Sequence, residues 1–226
     1  LCTGCAGCVI ACPHEVIGYK HEEGNYKPFH IEEELGLDNC GHGEKGCTSC
    51  TRACPRFRTW EPDADMHLFG KTRDDSAMYG QYKQLLLVRA ADDNVHEKGQ
   101  DGGFVSAMLI WLMKHDYIDA ALTSFMAGDG TSWKALPGIA RNPEDVLKAA
   151  GSRYTYSANT LALKQAQEEG LSRLALVGMS CQSSVLPIMW KRKVGKSVKP
   201  FLFYIGLLFS KSFRLSNDTK SVGEEL

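Results

Sequence analysis

Two cysteine runs constrain this chain more than anything else in it: Cys2-Thr-Gly-Cys5-Ala-Gly-Cys8-Val-Ile-Ala-Cys12-Pro13, and Cys40 followed by Cys47-Thr-Ser-Cys50-Thr-Arg-Ala-Cys54-Pro55. The first has the C-x2-C-x2-C-x3-C-P spacing, in which three thiolates reach one iron–sulfur cluster from a tight loop and the fourth ligates a neighbouring cluster. The second repeats the theme. Crossing the fourth cysteines predicts two [4Fe-4S] sites, one held by Cys2, Cys5, Cys8 and Cys54, the other by Cys40, Cys47, Cys50 and Cys12. Gly4, Ala6 and Gly7 are small enough to let backbone N–H groups face the sulfides, and Pro13 and Pro55 turn the chain away without an N–H to satisfy. Zinc is the competing reading, but its structural sites favour paired C-x2-C knuckles rather than a run of four.

The second run departs from the first in one respect. Six residues, Gly41-His42-Gly43-Glu44-Lys45-Gly46, separate Cys40 from Cys47 where the repeat would have two. Lengthening a flexible, glycine-rich loop by that much costs about 1 kcal/mol of closure entropy, so Cys40 can still reach its iron. His42 is the rival ligand within the loop.

With 226 residues the chain is long enough for a small cluster domain and one larger core. A formal net charge of −1 leaves no basic footprint for nucleic acid and no polybasic membrane anchor. Of the nine cysteines, eight fall into cluster spacing, so the thiols read as reserved for metal in a reducing cytoplasm rather than as a secreted disulfide framework. No secretory signal is visible, and the missing initiator Met and the polar stretch 214–226 predict a fragment of a longer protein. The apolar run Phe201-Leu-Phe-Tyr-Ile-Gly-Leu-Leu-Phe209 is about half of what a membrane helix needs and reads as a buried strand, so no transmembrane span is expected.

Between the cysteine runs, Val16-Ile17-Gly18-Tyr19-Lys20 and the turn chemistry of Gly24-Asn25-Tyr26-Lys27-Pro28 predict a hairpin. The acidic run Glu32-Glu33-Glu34 reads as a solvated helix start rather than a partner-steering patch. Residues 56–82 are polar and irregular, punctuated by Pro62, Gly70 and Gly80, and suit a linker pinned by Trp60 and Phe69. Gln84-Leu-Leu-Leu-Val-Arg-Ala90 has strand length and is expected to open the second core.

Helix and strand signals then alternate. A helical stripe runs through Val105, Met108, Leu109, Leu112 and Met113, followed by a strand at 118–123. Asn142-Pro143-Glu144-Asp145 has the form of an N-cap with Pro at the first helical position. A further helix over 159–169 stops at Gly170, before a strand at 173–178 and a helical stretch at 180–190. Residues 191–199 form a basic loop. The order implies an α/β core.

Three stretches of this core carry chemistry. Asp101-Gly102-Gly103-Phe104-Val105-Ser106 precedes a helix, where consecutive glycines let backbone N–H groups approach an anion; a plain turn is the blander reading. Gly151-Ser152-Arg153-Tyr154 combines a turn, a hydroxyl, a guanidinium and an aromatic ring, suited to a phosphate and a stacked ring. Gly178-Met179-Ser180-Cys181-Gln182 follows a strand at the end where open α/β sheets place ligands, so Cys181 faces either a cofactor or inert packing.

With its cysteine-rich head, Gly99-Gln100-Asp101-Gly102-Gly103 with Ser106, Gly151-Ser152-Arg153-Tyr154, Gly178-Met179-Ser180-Cys181-Gln182 and Ile205-Gly206-Leu207-Leu208, the chain resembles the beta subunit family of coenzyme F-420 hydrogenase and dehydrogenase. That family includes the plant 7-hydroxymethyl chlorophyll a reductase. The resemblance spans most of the chain, and the stretch Asp38-Asn39-Cys40-Gly-His42-Gly looks like its bacterial branch. It implies an α+β fold: a small ferredoxin-like two-cluster domain (1–58), a linker (59–82) and an α/β domain binding FAD and coenzyme F-420 (83–226), truncated at its C-terminus.

The activity implied is hydride exchange between deazaflavin coenzyme F-420 and FAD, with single electrons passing through the two [4Fe-4S] clusters to a redox partner protein or a hydrogenase or dehydrogenase subunit. Asp101, Gly102, Gly103, Ser106, Ser152 and Arg153 are expected at the FAD phosphates, Tyr154 beside them, and Cys181 with Gln182 near the ring. No general acid or base is expected, since the cofactors carry the chemistry. The implied location is the cytoplasm, free or peripheral to a membrane complex. The chain departs from the family pattern at Phe209, where Gly-Leu-x-Cys would end in cysteine, and at Ser180, where Gly-x-Pro-Cys-Gln has proline. A further cluster ligated at 209 is therefore not expected. Two alternatives stand beside this activity: a ferredoxin-dependent flavin reductase of an organic substrate, and a non-catalytic electron-relay subunit.

Overall fold

A sheet of four strands in the order β4-β3-β5-β6 forms the centre of the computed structural model, which describes residues 2–22, 25–31, 40–74, 76–128, 134–194 and 198–208. Its strands are β3 (Ala120–Met126), β4 (Ala135–Ala140), β5 (Leu174–Met179) and β6 (Phe201–Leu207). β3 and β4 pair antiparallel, with Leu122 opposite Ile139, while β3–β5 and β5–β6 are parallel. The central strands are buried on both faces: Ala120, Ala121 and Leu122 and Leu174, Ala175 and Leu176 are all 0% exposed. Such strands read as continuous apolar runs, and helices must cover both sides.

They do. On one face Ala121, Ala175 and Val177 pack with Leu109, Ile110 and Leu112 of the helix Phe104–Lys114 and with Val146 of the helix Pro143–Lys148. On the other, Leu122, Leu174 and Leu176 pack with Leu163 and Ala166 of the helix Ala162–Glu168 and with Leu186 of the helix Ser180–Lys191. The Asn142 side chain accepts from the Asp145 N–H at 2.9 Å, capping the helix that Pro143 opens. Gly170, at φ 75°, ends the helix before β5.

The N-terminal residues build short elements around the cysteines. In chain order the helices among the described residues are α1 (Gly7–Ala11), α2 (Gly41–Glu44), α3 (Ser49–Ala53), α4 (Glu61–Phe69), α5 (Asp93–Lys98), α6 (Phe104–Lys114), α7 (Pro143–Lys148), α8 (Ala162–Glu168) and α9 (Ser180–Lys191). The hairpin of β1 (Ile17–Glu22) and β2 (Asn25–His30) forms with Tyr19 opposite Pro28. Buried Ala11 and Ala53 let α1 and α3 approach, and both pack on Val185 and Met189 of α9. Arg52 and Arg192 each donate to the other's carbonyl, fastening α3 to the end of α9.

Three sequence expectations give way, and one strand carries no sequence signal. Residues 84–90 form no strand: Leu85 is 90% and Leu87 104% exposed, and the sheet opens instead at Ala120. A short apolar run becomes a strand only beside a partner edge, and none of the described strands pairs with this one. The stretch 56–82, expected to be an irregular linker, contains α4, with Pro62 in its first turn, Glu61 and Asp63 at its start and Gly70 in the left-handed region at its end. β4 escapes a pattern reading because Pro137 and Gly138 interrupt it, which an edge strand tolerates. β6 is a strand but not a buried one: it lies at the sheet edge with Leu202 51% and Tyr204 41% exposed. The turn at Gly24, the acidic run at 32–34, residues 38–39, Phe209 and the tail from 214 lie outside the described residues.

Candidate functional site

A cavity of about 730 Å³ opens at the carboxyl ends of the parallel strands, where open α/β sheets place ligands. Two loops form its rim. The glycine-rich stretch 99–103 runs into α6, whose first N–H groups have no side-chain cap. Gly103 stands at φ 64°, and a Cβ there would lie 2.7 Å from the Val95 carbonyl oxygen, so the turn accepts only glycine. The second loop, 151–154, faces it. Gln100 joins the two: its Nε2 donates to the Tyr154 hydroxyl at 2.8 Å and its Oε1 accepts from the Ser152 N–H at 3.2 Å.

Of the residues expected at a flavin, Asp101, Gly102, Gly103, Ser106, Ser152, Arg153, Tyr154 and Gln182 line this one cavity. Asp101, Ser152 and Tyr154 are exposed at its rim, and Ser106 is buried. Arg153 carries the most telling chemistry. Its Nε is buried with no hydrogen-bond partner among the described residues, and burial pulls its pKa below the usual guanidinium value. A buried orphan donor is costly unless an acceptor comes to it.

Gln182 serves the fold. It is 0% exposed, its Nε2 donates to Ser157 O at 2.6 Å, and its Oε1 accepts from the Asn159 N–H at 3.1 Å. Asn159 in turn donates to Val177 O at 2.7 Å, so the cavity floor is a closed amide network. Gln100 and Asn159 were missed as site residues, because isolated amides carry no spacing signal; the family-like string around Gln100 was the only hint.

Cys181 does not line the cavity. It packs on the cluster of Cys5, Ala11, Val185 and Met189, and its Sγ lies 3.8 Å from the Tyr156 hydroxyl. At the head of α9 it faces the N-terminal cysteine loop, one residue round from the cavity-facing Gln182.

The cysteines lie close enough to act on one another. Burial pushes the Cys5 thiol up to about 12, with further upward contributions from Cys181, Cys54 and Cys2. The Cys8 thiol is likewise pushed up to about 12 by burial, with Cys5, Cys2, Cys54 and Cys50 as charged neighbours. Cys50 is raised by burial and feels Cys12 and Cys47. Cys54 thus lies within electrostatic reach of Cys5 and Cys8, and Cys12 within reach of Cys50. Cys47 is held low, chiefly by the Ser49 backbone N–H. Among the described residues no three His, Cys, Asp or Glu side chains converge as on a single metal ion.

The first loop is fixed by its neighbours: the Tyr19 hydroxyl donates to Gly4 O at 2.6 Å, and Gly4, at φ 74°, comes so close to Tyr26 O that a Cβ would sit at 2.2 Å. The six-residue stretch after Cys40 is not slack. Its first four residues form α2, and the Cys47 N–H donates to His42 O at 3.0 Å. The His42 ring stacks on His14 at 3.6 Å with an interplanar angle of 1°.

Residues 85–164 match the sequence model of the family described as coenzyme F420 hydrogenase/dehydrogenase, beta subunit N-term. The chain is 32% identical over 148 residues to the coenzyme F420 hydrogenase subunit beta of Methanococcus voltae, covering 65% of this chain and 52% of that one. It is 30% identical over 230 aligned positions to the coenzyme F420-dependent sulfite reductase of Methanocaldococcus jannaschii, covering 96% of this chain and 32% of that one. A chain of the F420-reducing [NiFe] hydrogenase complex from Methanosarcina barkeri is similar at 26% identity and a TM-score of 0.48, over 52% of this chain and 41% of that one. The chain therefore spans about half of the first relative and about a third of the second. Among the described residues no helix is long and apolar enough to cross a membrane. Through residues 85–164, the chain is similar to the N-terminal part of coenzyme F420 hydrogenase/dehydrogenase beta subunits.

Proposed function

We propose that this chain is an iron–sulfur flavoprotein oxidoreductase that exchanges a hydride with deazaflavin coenzyme F420 and passes single electrons to a partner redox protein or subunit in the cytoplasm. Its parts are a ferredoxin-like two-cluster domain over 1–58, a connecting segment over 59–82 and a flavin-binding domain from 83 onward. The observation that carries the reading is the cavity, where eight of the nine residues expected at a flavin meet. The relatives' names, which speak of coenzyme F420 hydrogenase and of F420-dependent sulfite reductase, support the coenzyme. The second relative matches almost the whole of this chain with only about a third of its own length, which favours the chain as the coenzyme-side part of a larger system.

The residues fit the groups. For FAD, the uncapped first turn of α6 and the unpartnered Nε of Arg153 offer donors to a pyrophosphate. Gln100 holds the two rim loops at one spacing, and Val105, Leu109, Val146 and Val177 line the cavity with apolar surface that excludes water. For the clusters, the donor set is all sulfur, and the nearness of Cys54 to Cys5 and Cys8 and of Cys12 to Cys50 supports the crossed pattern. The stack on His14 occupies the His42 ring, which favours Cys40 as the fourth ligand of the second site. Bound here, FAD would supply the conversion between a two-electron hydride and single electrons, and the clusters a path for those electrons.

Anaerobic purification with iron and sulfide reconstitution, followed by cofactor extraction, tests the proposal. Two clusters' worth of iron, one flavin and oxidation of reduced coenzyme F420 against an artificial acceptor are expected. Flavin present without that oxidation moves the activity to the reduction of an organic substrate, and absence of flavin leaves an electron relay. Replacing Arg153 should lower flavin retention. Cys40→Ser should lose iron where His42→Ala keeps it.

A further inference from the structure

A second hollow, of about 1020 Å³, lies on the far side of the cysteine head, between the end of α1 and the end of α9. Its floor is apolar, with Ile10, Met189 and Val198, and Cys12 stands in its wall. Its rim carries Lys191, Lys193 and Lys199, all exposed, and no carboxylate lines it among the described residues. His67 of α4 meets the Trp190 ring edge-on at 5.0 Å, and Trp190 is 61% exposed. Five of the nine residues in the sequence 191–199 are Lys or Arg and none is acidic, in a chain whose net charge is −1. The three lysines at the rim thus give this hollow a local positive field with no carboxylate among the described residues lining it to offset it.

We propose that this hollow is the docking surface for an acidic one-electron carrier protein, a small acidic ferredoxin in chemistry. The inference rests on the function proposed above, in which Cys12 ligates the second cluster. Three features argue for a protein occupant. The lysine ammoniums are exposed, as suits long-range steering of an acidic surface rather than the tight holding of a small anion. An exposed tryptophan beside an apolar floor is the usual anchor of a protein contact, and charge at the rim sets register and on-rate. The contact also brings the partner against the stretch that carries Cys12, the point at which electrons from the second site leave the chain. Each encounter removes one electron from the chain and adds one to the carrier, with no bond formed or broken. Two carriers take up the two electrons of one reduced coenzyme F420, whose two protons pass to water.

Binding of an acidic two-cluster ferredoxin to the reconstituted protein, titrated at low and at physiological ionic strength, tests the proposal. The wild type should weaken about tenfold or more as salt rises. The triple variant Lys191→Glu, Lys193→Glu and Lys199→Glu should bind about tenfold or more weakly at low salt and lose the salt dependence. Its KM for ferredoxin should rise while its rate with a small uncharged acceptor is kept. Lys114→Glu, away from the hollow, should behave as wild type. Unchanged ferredoxin affinity in the triple variant, with iron and flavin present, overturns the docking surface and leaves the function standing. A preparation that takes up no iron overturns both, and equal loss with the small acceptor also overturns the docking surface.

Discussion

The Thr160 hydroxyl donates to the carbonyl oxygen of Cys5 at 2.8 Å, joining residues 155 positions apart in a fully buried contact. Thr160 is 0% exposed and sits beside Asn159 in the 3-10 turn Asn159–Leu161, whose amide network floors the cavity. One turn of chain therefore touches both the cysteine loop and the cavity wall. The distance between the two is set by bonds rather than by a linker.

Thr160→Val keeps the volume and removes the donor, leaving the Cys5 carbonyl buried and unpaired. The expected cost is about 1–3 kcal/mol, seen as a fall of a few degrees in Tm. Iron loss on exposure to a chelator should quicken for the site that contains Cys5. A Tm and chelation rate equal to wild type would show that the contact fixes nothing.

Gly103→Ala tests the rim of the cavity. Alanine at φ 64° is strained, and its Cβ would meet the Val95 carbonyl. Backbone strain of this kind costs about 1–3 kcal/mol, and the first turn of α6 would move with it. Lower flavin content and a lower unfolding midpoint are expected together, whereas Ser106→Ala should affect flavin content more than stability.

Much of this molecule was legible from local chemistry. The Asn142-Pro143 cap, the Gly170 stop and the β5–α9 order were all written in residues that act on their immediate neighbours. What was hidden depends on distant partners. Pro137 and Gly138 disguise β4, which is a strand only because β3 offers an edge. Leu85 to Leu87 look like a core strand but find no described partner. Cys181 and Gln182 are neighbours in sequence, yet at the start of α9 they face different neighbourhoods, and no pattern reading distinguishes those faces.

The exposed leucines give a direct check on that correction. With Leu85 90% and Leu87 104% exposed, the double variant Leu85→Ser, Leu87→Ser should unfold in urea within about 0.5 kcal/mol of wild type. It should also aggregate less, since a contiguous exposed apolar patch is removed. A loss beyond about 1.5 kcal/mol, the scale of burying one such side chain, would mean that the run is covered in solution.

The last prediction concerns pH and the helix that the sequence concealed. Asp65, on α4 and 4% exposed, accepts from Arg73 Nε at 2.5 Å and Nη2 at 2.9 Å. These bonds hold its carboxyl below the ordinary value of 3.8. A carboxylate whose folded pKa is depressed contributes stability that is fully present above the unfolded value and is lost as pH falls through the folded one. Asp65→Asn should therefore be less stable than wild type at neutral pH by about 1 kcal/mol, a modest figure because Arg73 remains partly in water. The gap should stay constant down to the ordinary carboxylate range and close below it, as the wild-type carboxyl takes its proton. Unfolding midpoints of both proteins from pH 7 to pH 3 measure this, and a gap that persists at the acid end would assign the effect to side-chain packing instead of the ion pair.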